Sequence, residues 1–288
     1  MLISVASGKG GTGKTTVAVN MALALDGRAD LFDCDVEEPN AHLFLQPQMH
    51  GREEVTTPVP KIDAERCTLC GECVTICRFN ALAVAGKQVL VFPELCHSCG
   101  GCLAVCPEGA VSETGRVLGE LAFGAREKIR FVKGRMRVGE AMAPPLIRKV
   151  RAMADPERIT IVDAPPGTSC PVIAAMQDAD FVLMVTEPTP FGLHDLRLAV
   201  EAVRLLKIPA GLVVNRADMG DDQVFAYAKQ ENLPVLMRIP FDRRIAEAYS
   251  NGRTIIEELP EWRPHFVRLY SDIERIVKEN KVGSCVNS

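Results

Sequence analysis

The chain has 288 residues, 47% of them hydrophobic and 24% charged, which allows one large core or a core plus a smaller module. A formal net charge of −4 argues against a protein built to coat nucleic acid. No apolar run approaches the roughly 18–20 residues that span a bilayer, and the N-terminus has no secretory pattern, so a cytoplasmic protein without stable membrane association is expected.

Leu2–Ala6 is the first strand candidate, and it runs into ASGKGGTGKTT, residues 6–16. Gly8, Gly13, Lys14 and Thr15 complete the pattern GxxxxGK[ST]. A helix is expected over 14–25, so the loop has the strand-to-helix setting that a phosphate-binding loop needs. In that setting the backbone N–H groups of residues 10–14 cradle phosphates at a helix N-terminus. Lys14 reaches the β- and γ-phosphates, and Thr15 offers its hydroxyl to Mg²⁺. The expected nucleotide contacts are Gly8, Lys9, Gly10, Gly11, Thr12, Gly13, Lys14, Thr15 and Thr16. Lys9 is a second lysine, and the loop chemistry alone leaves it without a role.

A second strand, Ala29–Asp33, leads into DLFDCDVEEPN, where Asp33 and Asp35 stand one residue apart. The rhythm then breaks over residues 58–115, which are loop-rich. Eight of the 11 cysteines lie here. Disulfides are disfavoured in the cytosol, so a cluster this dense points to metal. CTLCGECVTIC places Cys67, Cys70, Cys73 and Cys77 in the spacing C-x2-C-x2-C-x3-C, and CHSCGGCLAVC repeats it with Cys96, Cys99, Cys102 and Cys106. Zinc sites usually pair CxxC units instead. Cys34, Cys170 and Cys285 are scattered and read as a packing residue, a small apolar residue near a switch and a tail residue.

Beyond this insert, AREKIRFVKGRMRVGE (125–140) reads as a hairpin turning near Gly134 with a basic outer face. Residues 126–151 carry nine Lys or Arg against two acids, a surface that could dock an acidic partner, although a solvated face is the plainer reading. Strands are expected at Ile159–Asp163, Phe181–Thr186, Ala210–Asn215 and Val235–Ile239, with helices over 171–177, 193–206, 221–230 and 243–251. Continuous apolar strands alternating with helices give an α/β fold, mostly parallel, with helices on both faces. A last helix over 263–281 sets Phe266, Leu269, Tyr270, Ile273, Ile276 and Val277 on one face, and docking on the core is expected.

GKGGTGKT resembles the deviant phosphate loop of the MinD/ParA/nitrogenase-iron-protein ATPases. In that family the early lysine crosses a dimer interface, so the resemblance implies that Lys9 senses a partner subunit. It implies catalytic roles for Lys9, Lys14 and Asp35, with Asp35 positioning the attacking water. It implies Mg²⁺ at Thr15, Asp33 and Asp163, with Asp33 supporting the site and Gly167 of ITIVDAPPGTSC sensing the γ-phosphate. It places Asn215 of VVNRAD at the adenine edge and Pro240 of IPFD beside the base. The resemblance runs through the P-loop ATPase part, residues 1–57 and 116–288. Residues 58–115 resemble a bacterial two-cluster ferredoxin, in which the fourth cysteine of each run ligates the other cluster. One [4Fe–4S] cluster would take Cys67, Cys70, Cys73 and Cys106, and the other Cys96, Cys99, Cys102 and Cys77. Together these resemblances imply ATP, Mg²⁺ and two [4Fe–4S] clusters as cofactors. They imply a homodimer, or a heterodimer with a related ATPase, coupling ATP to electron transfer or to iron–sulfur or metallocofactor assembly on a carrier or electron-transfer partner. A spatial regulator with the clusters as redox sensor or staple is the other reading. No nucleic-acid partner is expected.

Overall fold

The chain is described by a computed structural model covering residues 1–286, with side chains described through residue 281. Its first half runs β1 (Leu2–Ala6), α1 (Lys14–Ala24), β2 (Ala29–Asp33), α2 (Ala41–Leu45), β3 (Gln48–Ile62), α3 (Glu72–Ile76), β4 (Leu82–Ala85), β5 (Gln88–Val91), α4 (Gly101–Ala104), β6 (Val111–Arg126) and β7 (Ile129–Met136). The second half runs α5 (Ala143–Arg151), β8 (Ile159–Asp163), α6 (Cys170–Met176), β9 (Phe181–Thr186), α7 (Pro190–Leu206), β10 (Ala210–Asn215), α8 (Gln223–Gln230), β11 (Val235–Ile239), α9 (Arg243–Ser250), α10 (Ile255–Glu258) and α11 (Arg263–Val286).

Nine strands form one sheet in the order β11-β10-β9-β1-β8-β2-β7-β6-β3. From β11 to β7 every neighbour is parallel; β6 and β3 add two antiparallel strands at one edge. Apolar side chains of the central strands alternate between the two faces. Ile3, Val5 and Phe131 join α1, α10 and α11 in one core, while Phe32, Val132 and Val162 join α5, α6 and α7 in the other. Burial on both faces explains why these strands read as unbroken apolar runs. The last helix docks on the core as expected, through buried Phe266, Leu269, Tyr270, Ile273 and Val277, and it extends past the expected end at 281. Cys285 lies outside the residues whose side chains are described.

The hairpin of 125–140 turns elsewhere than expected. Arg126 pairs with Ile129, and Glu127 takes a positive φ of 52° to close a tight turn with Lys128. Gly134 is a buried mid-strand residue of β7 instead. The outer face is basic in part, with Lys128 and Arg135 exposed, but other basic residues of the hairpin are engaged. Arg130 contacts Asp30 and lies over the Phe32 ring, Arg126 pairs with Glu257, and half-buried Lys133 stands in register with Asp33.

β3 and β6 form a long antiparallel ladder from Gln48 opposite Ala125 to Ile62 opposite Val111. Its outer part reaches beyond the main sheet and carries α3, α4 and the β4–β5 hairpin. Positions 58 and 115, the expected limits of the insert, face each other within this ladder.

Candidate functional site

The phosphate-loop motif joins β1 to α1. Gly13 caps α1 with φ 95°, a left-handed conformation that L side chains rarely adopt. A Cβ there would also stand 2.7 Å from the Asn215 amide nitrogen. That amide donates to the Thr12 carbonyl at 2.9 Å, so the end of β10 braces the loop across 203 positions of sequence. The Asn215 side chain, expected at an adenine edge, is therefore seen here supporting the loop. Thr12 and Lys14 are buried, and Pro240 is exposed just past the end of β11. Lys9 is one-third exposed and stands 3.9 Å from Glu187, which also pairs with Arg216 at 3.1 Å.

Three carboxylates gather at the ends of β2 and β8. Asp33 and Asp163 are side by side in register and fully buried. Both oxygens of Asp163 are buried with no hydrogen-bond partner. Burial pushes its carboxyl up to about 6, with Lys14 and then Thr15 pulling the other way. A buried carboxylate left unpaired in this way fits a hard cation such as Mg²⁺. Asp33 is placed differently. Its oxygens accept from the backbone N–H of Asp35 at 3.1 Å and of Ala41 at 3.0 Å. It clamps both ends of the loop between β2 and α2. Its carboxyl is raised by burial first and by Asp163 next. Half-buried Asp35 is raised by burial and held down chiefly by Lys14. Gly167 donates its N–H to the Ser7 carbonyl at 3.0 Å, tying the segment after β8 to the phosphate loop.

The cysteines line two cavities. Cys67, Cys70, Cys73 and Cys106 line one of them. Cys77, Cys96, Cys99 and Cys102 line the other. In each set three residues come from one run and the fourth from the other. Among the described residues no three His, Cys, Asp or Glu side chains are placed to share a single ion. The two halves repeat each other in detail. Ala81 donates its N–H to Cys77 Sγ at 3.4 Å, and Ala110 to Cys106 Sγ at 3.3 Å. Phe92 donates to the Ala81 carbonyl, and Asp63 to the Ala110 carbonyl, both at 2.8 Å. Leu69 and Ser98, each two residues after the first cysteine of its run, have positive φ of 61° and 54°. His97 stacks on Phe79, with ring centroids 3.7 Å apart, and both rings border the cavity of Cys77, Cys96, Cys99 and Cys102. Cys34 is buried as expected, whereas Cys170, expected to be a small apolar switch residue, is exposed at the start of α6.

A parallel sheet with a phosphate loop after its central strand, and acidic residues closing the neighbouring strands, defines a P-loop nucleotide-binding protein. Residues 3–255 match the CobQ/CobB/MinD/ParA nucleotide binding domain, and the chain belongs to that family of MinD/ParA-like ATPases. The uncharacterized protein MJ0579 of Methanocaldococcus jannaschii is 30% identical over 276 residues, covering 91% of this chain and 97% of that one. The iron-sulfur cluster carrier protein of Aquifex aeolicus is 26% identical over 278 residues, covering 90% of this chain and 63% of that protein. Among solved structures, the septum site-determining protein MinD of Pyrococcus horikoshii, complexed with Mg-ADP, is similar in fold, with a TM-score of 0.59. It is 20% identical, and the match covers 94% of this chain and 95% of that one. No helix among the described residues is long and apolar enough to cross a membrane.

Proposed function

We propose that this chain is an ATP-hydrolysing switch that carries two [4Fe–4S] clusters. It would couple nucleotide state to electron transfer, or to iron–sulfur or metallocofactor assembly, on a partner protein. The observation that carries this reading is the pair of cavities, each ringed by four cysteines drawn from both runs, on the same chain as a complete phosphate loop. The relatives named iron-sulfur cluster carrier proteins, in Aquifex aeolicus and Pseudomonas fragi, support it. In this reading Lys14 and the loop amides bind the phosphates, Thr15 and Asp163 hold Mg²⁺, and Asp35 orients the attacking water. Mg²⁺, when bound, offsets charge on the phosphates. The clusters, when bound, supply one-electron storage.

The reading is tested anaerobically by reconstituting the protein and titrating its reduction potentials with and without Mg·ATP. About eight irons per chain are expected. Mg·ATP is expected to shift at least one potential by several tens of millivolts, since 59 mV is a tenfold change for one electron. Protein that holds no cluster, or potentials indifferent to nucleotide, would overturn it.

Lys9 adds a second expectation. Its ion pair with the buried Glu187 is long, at 3.9 Å, and Glu187 keeps a closer partner in Arg216 at 3.1 Å, so the half-buried lysine can leave it for a facing subunit. Lys9→Ala is expected to keep nucleotide affinity within about threefold while turnover loses its dependence on protein concentration, falling at least tenfold. Normal turnover in this variant, measured across a range of protein concentrations, would remove the lysine supplied in trans.

A further inference from the structure

Although the two cysteine centres match each other internally, they are joined unequally to the nucleotide domain. We infer that nucleotide state reaches one of them only, the centre of Cys77, Cys96, Cys99 and Cys102, by way of Val36, Arg116 and a Thr57–Ser98 contact. The inference rests on the function proposed above and names which centre that coupling addresses.

The inner end of the route begins beside Asp35. Val36 is fully buried, and its carbonyl accepts from the Met136 N–H at 2.8 Å at the end of β7. Its side chain sits over Gly134, where a Cβ would come 2.7 Å from Val36 Cγ1. Val36 is therefore keyed into β7 by both its backbone and its side chain. The next residue along, Arg137, donates its N–H to the Leu118 carbonyl of β6 at 2.8 Å. Two positions from Leu118, Arg116 makes a buried ion pair with Glu140. Glu140 in turn accepts from the N–H groups of Ala141 and Met142, which lead into α5. A displacement of Val36 must either break these contacts or carry β6 and the segment around residue 137 with it. Buried networks of this kind have few intermediate arrangements.

The outer end begins where Arg116 faces Thr57 across the ladder. Thr57 is buried, and its hydroxyl shares a 2.7 Å hydrogen bond with that of Ser98, between Cys96 and Cys99. Glu94 approaches Arg137 at 4.0 Å on the same side. The cavity of this centre is lined by Pro58, Val59 and Pro60. The other centre has Ile62 and Val111, the last rung of the ladder, in its wall. At about 3.3 Å per residue it sits roughly 10 Å farther out. Its polar contacts stay within the arm: Arg66 donates to the Glu108 carbonyl, and Asp63 accepts from Glu65 and Arg66. Matched interiors with unequal attachments make the second centre a control built into the molecule.

The test uses the full chain carrying both clusters. Hydrogen exchange with and without Mg·ATP is expected to change at residues 94–99 and at Met136, and to stay level at 65–70. Potentials are then titrated in Cys67→Ser and in Cys96→Ser, each keeping one centre. The nucleotide-dependent shift should persist in Cys67→Ser and vanish in Cys96→Ser. Thr57→Val, which removes the hydroxyl and keeps the shape, should at least halve that shift while iron content and ATP turnover stay within twofold. An equal response at 65–70, a shift that persists in Cys96→Ser, or a full shift in Thr57→Val would overturn the inference while leaving the proposed function standing. Wild-type protein without clusters or without any nucleotide-dependent shift would overturn both.

Discussion

Lys14→Ala is expected to lower ATP turnover at least a hundredfold and to weaken ADP binding by an order of magnitude or more. Two effects add. The variant loses the cation that faces the phosphates from the start of α1, where Lys14 is only 7% exposed. It also loses the charge that holds down the carboxyls of Asp35 and Asp163 against burial. Those groups then bind protons more readily, and Asp163 becomes a poorer partner for Mg²⁺. The variant should therefore need more Mg²⁺ for any residual binding, which distinguishes it from simple loss of a phosphate contact. Turnover and a Mg²⁺ titration of ADP binding check this, with thermal unfolding to show that the fold persists. Turnover within threefold of the parent would remove the loop from the proposed active site.

Cys77→Ser is expected to halve the iron content, from about eight to about four per chain, and paired substitutions decide how the ligands are shared. Cys77 lies in the first run of sequence but in the cavity of the second. Cys77→Ser combined with Cys96→Ser removes two ligands from one centre, so about four irons should remain. Cys73→Ser combined with Cys77→Ser strikes both centres, although the two residues share a run, and little iron should remain. Ligation within each run predicts the reverse order. Iron and acid-labile sulfide analysis, with the visible absorbance of the remaining centre, separates the two cases.

Six strands of the main sheet fall at the limits expected from sequence, because each is a short, largely apolar run bounded by loop residues. The phosphate loop and the cysteine runs were legible because their chemistry fixes both residue type and spacing. β3 was not. It is an edge strand with Arg52, Glu53, Glu54, Pro58 and Pro60, which neither alternates in hydropathy nor needs every N–H for a ladder. α5 was hidden inside a run of basic residues and opens on Pro144 and Pro145, yet it buries Leu146, Ile147 and Val150 and turns Arg148 and Lys149 outward. Gly134 drew the turn to itself because glycine usually marks one, whereas here it makes room for Val36. The Asn215 brace and the Thr57–Ser98 contact join residues far apart in sequence, and no local pattern signals them.

The ladder between β3 and β6 also bears on the order in which the molecule matures. Ile62 and Val111 are held together at its last rung, so residues 63–110 form a loop whose ends the protein has already brought together. Closing a loop of that length costs only a little more than closing a short one, about 0.6 kcal/mol for each doubling. That cost falls on the strands, and the thiols do not bear it. Eight cysteines are thereby confined to a small volume before any iron arrives, which raises their effective concentration for one another. The ATPase half is thus expected to fold during synthesis without waiting for metal, and the cysteine module to be filled afterwards as a side arm on a finished protein.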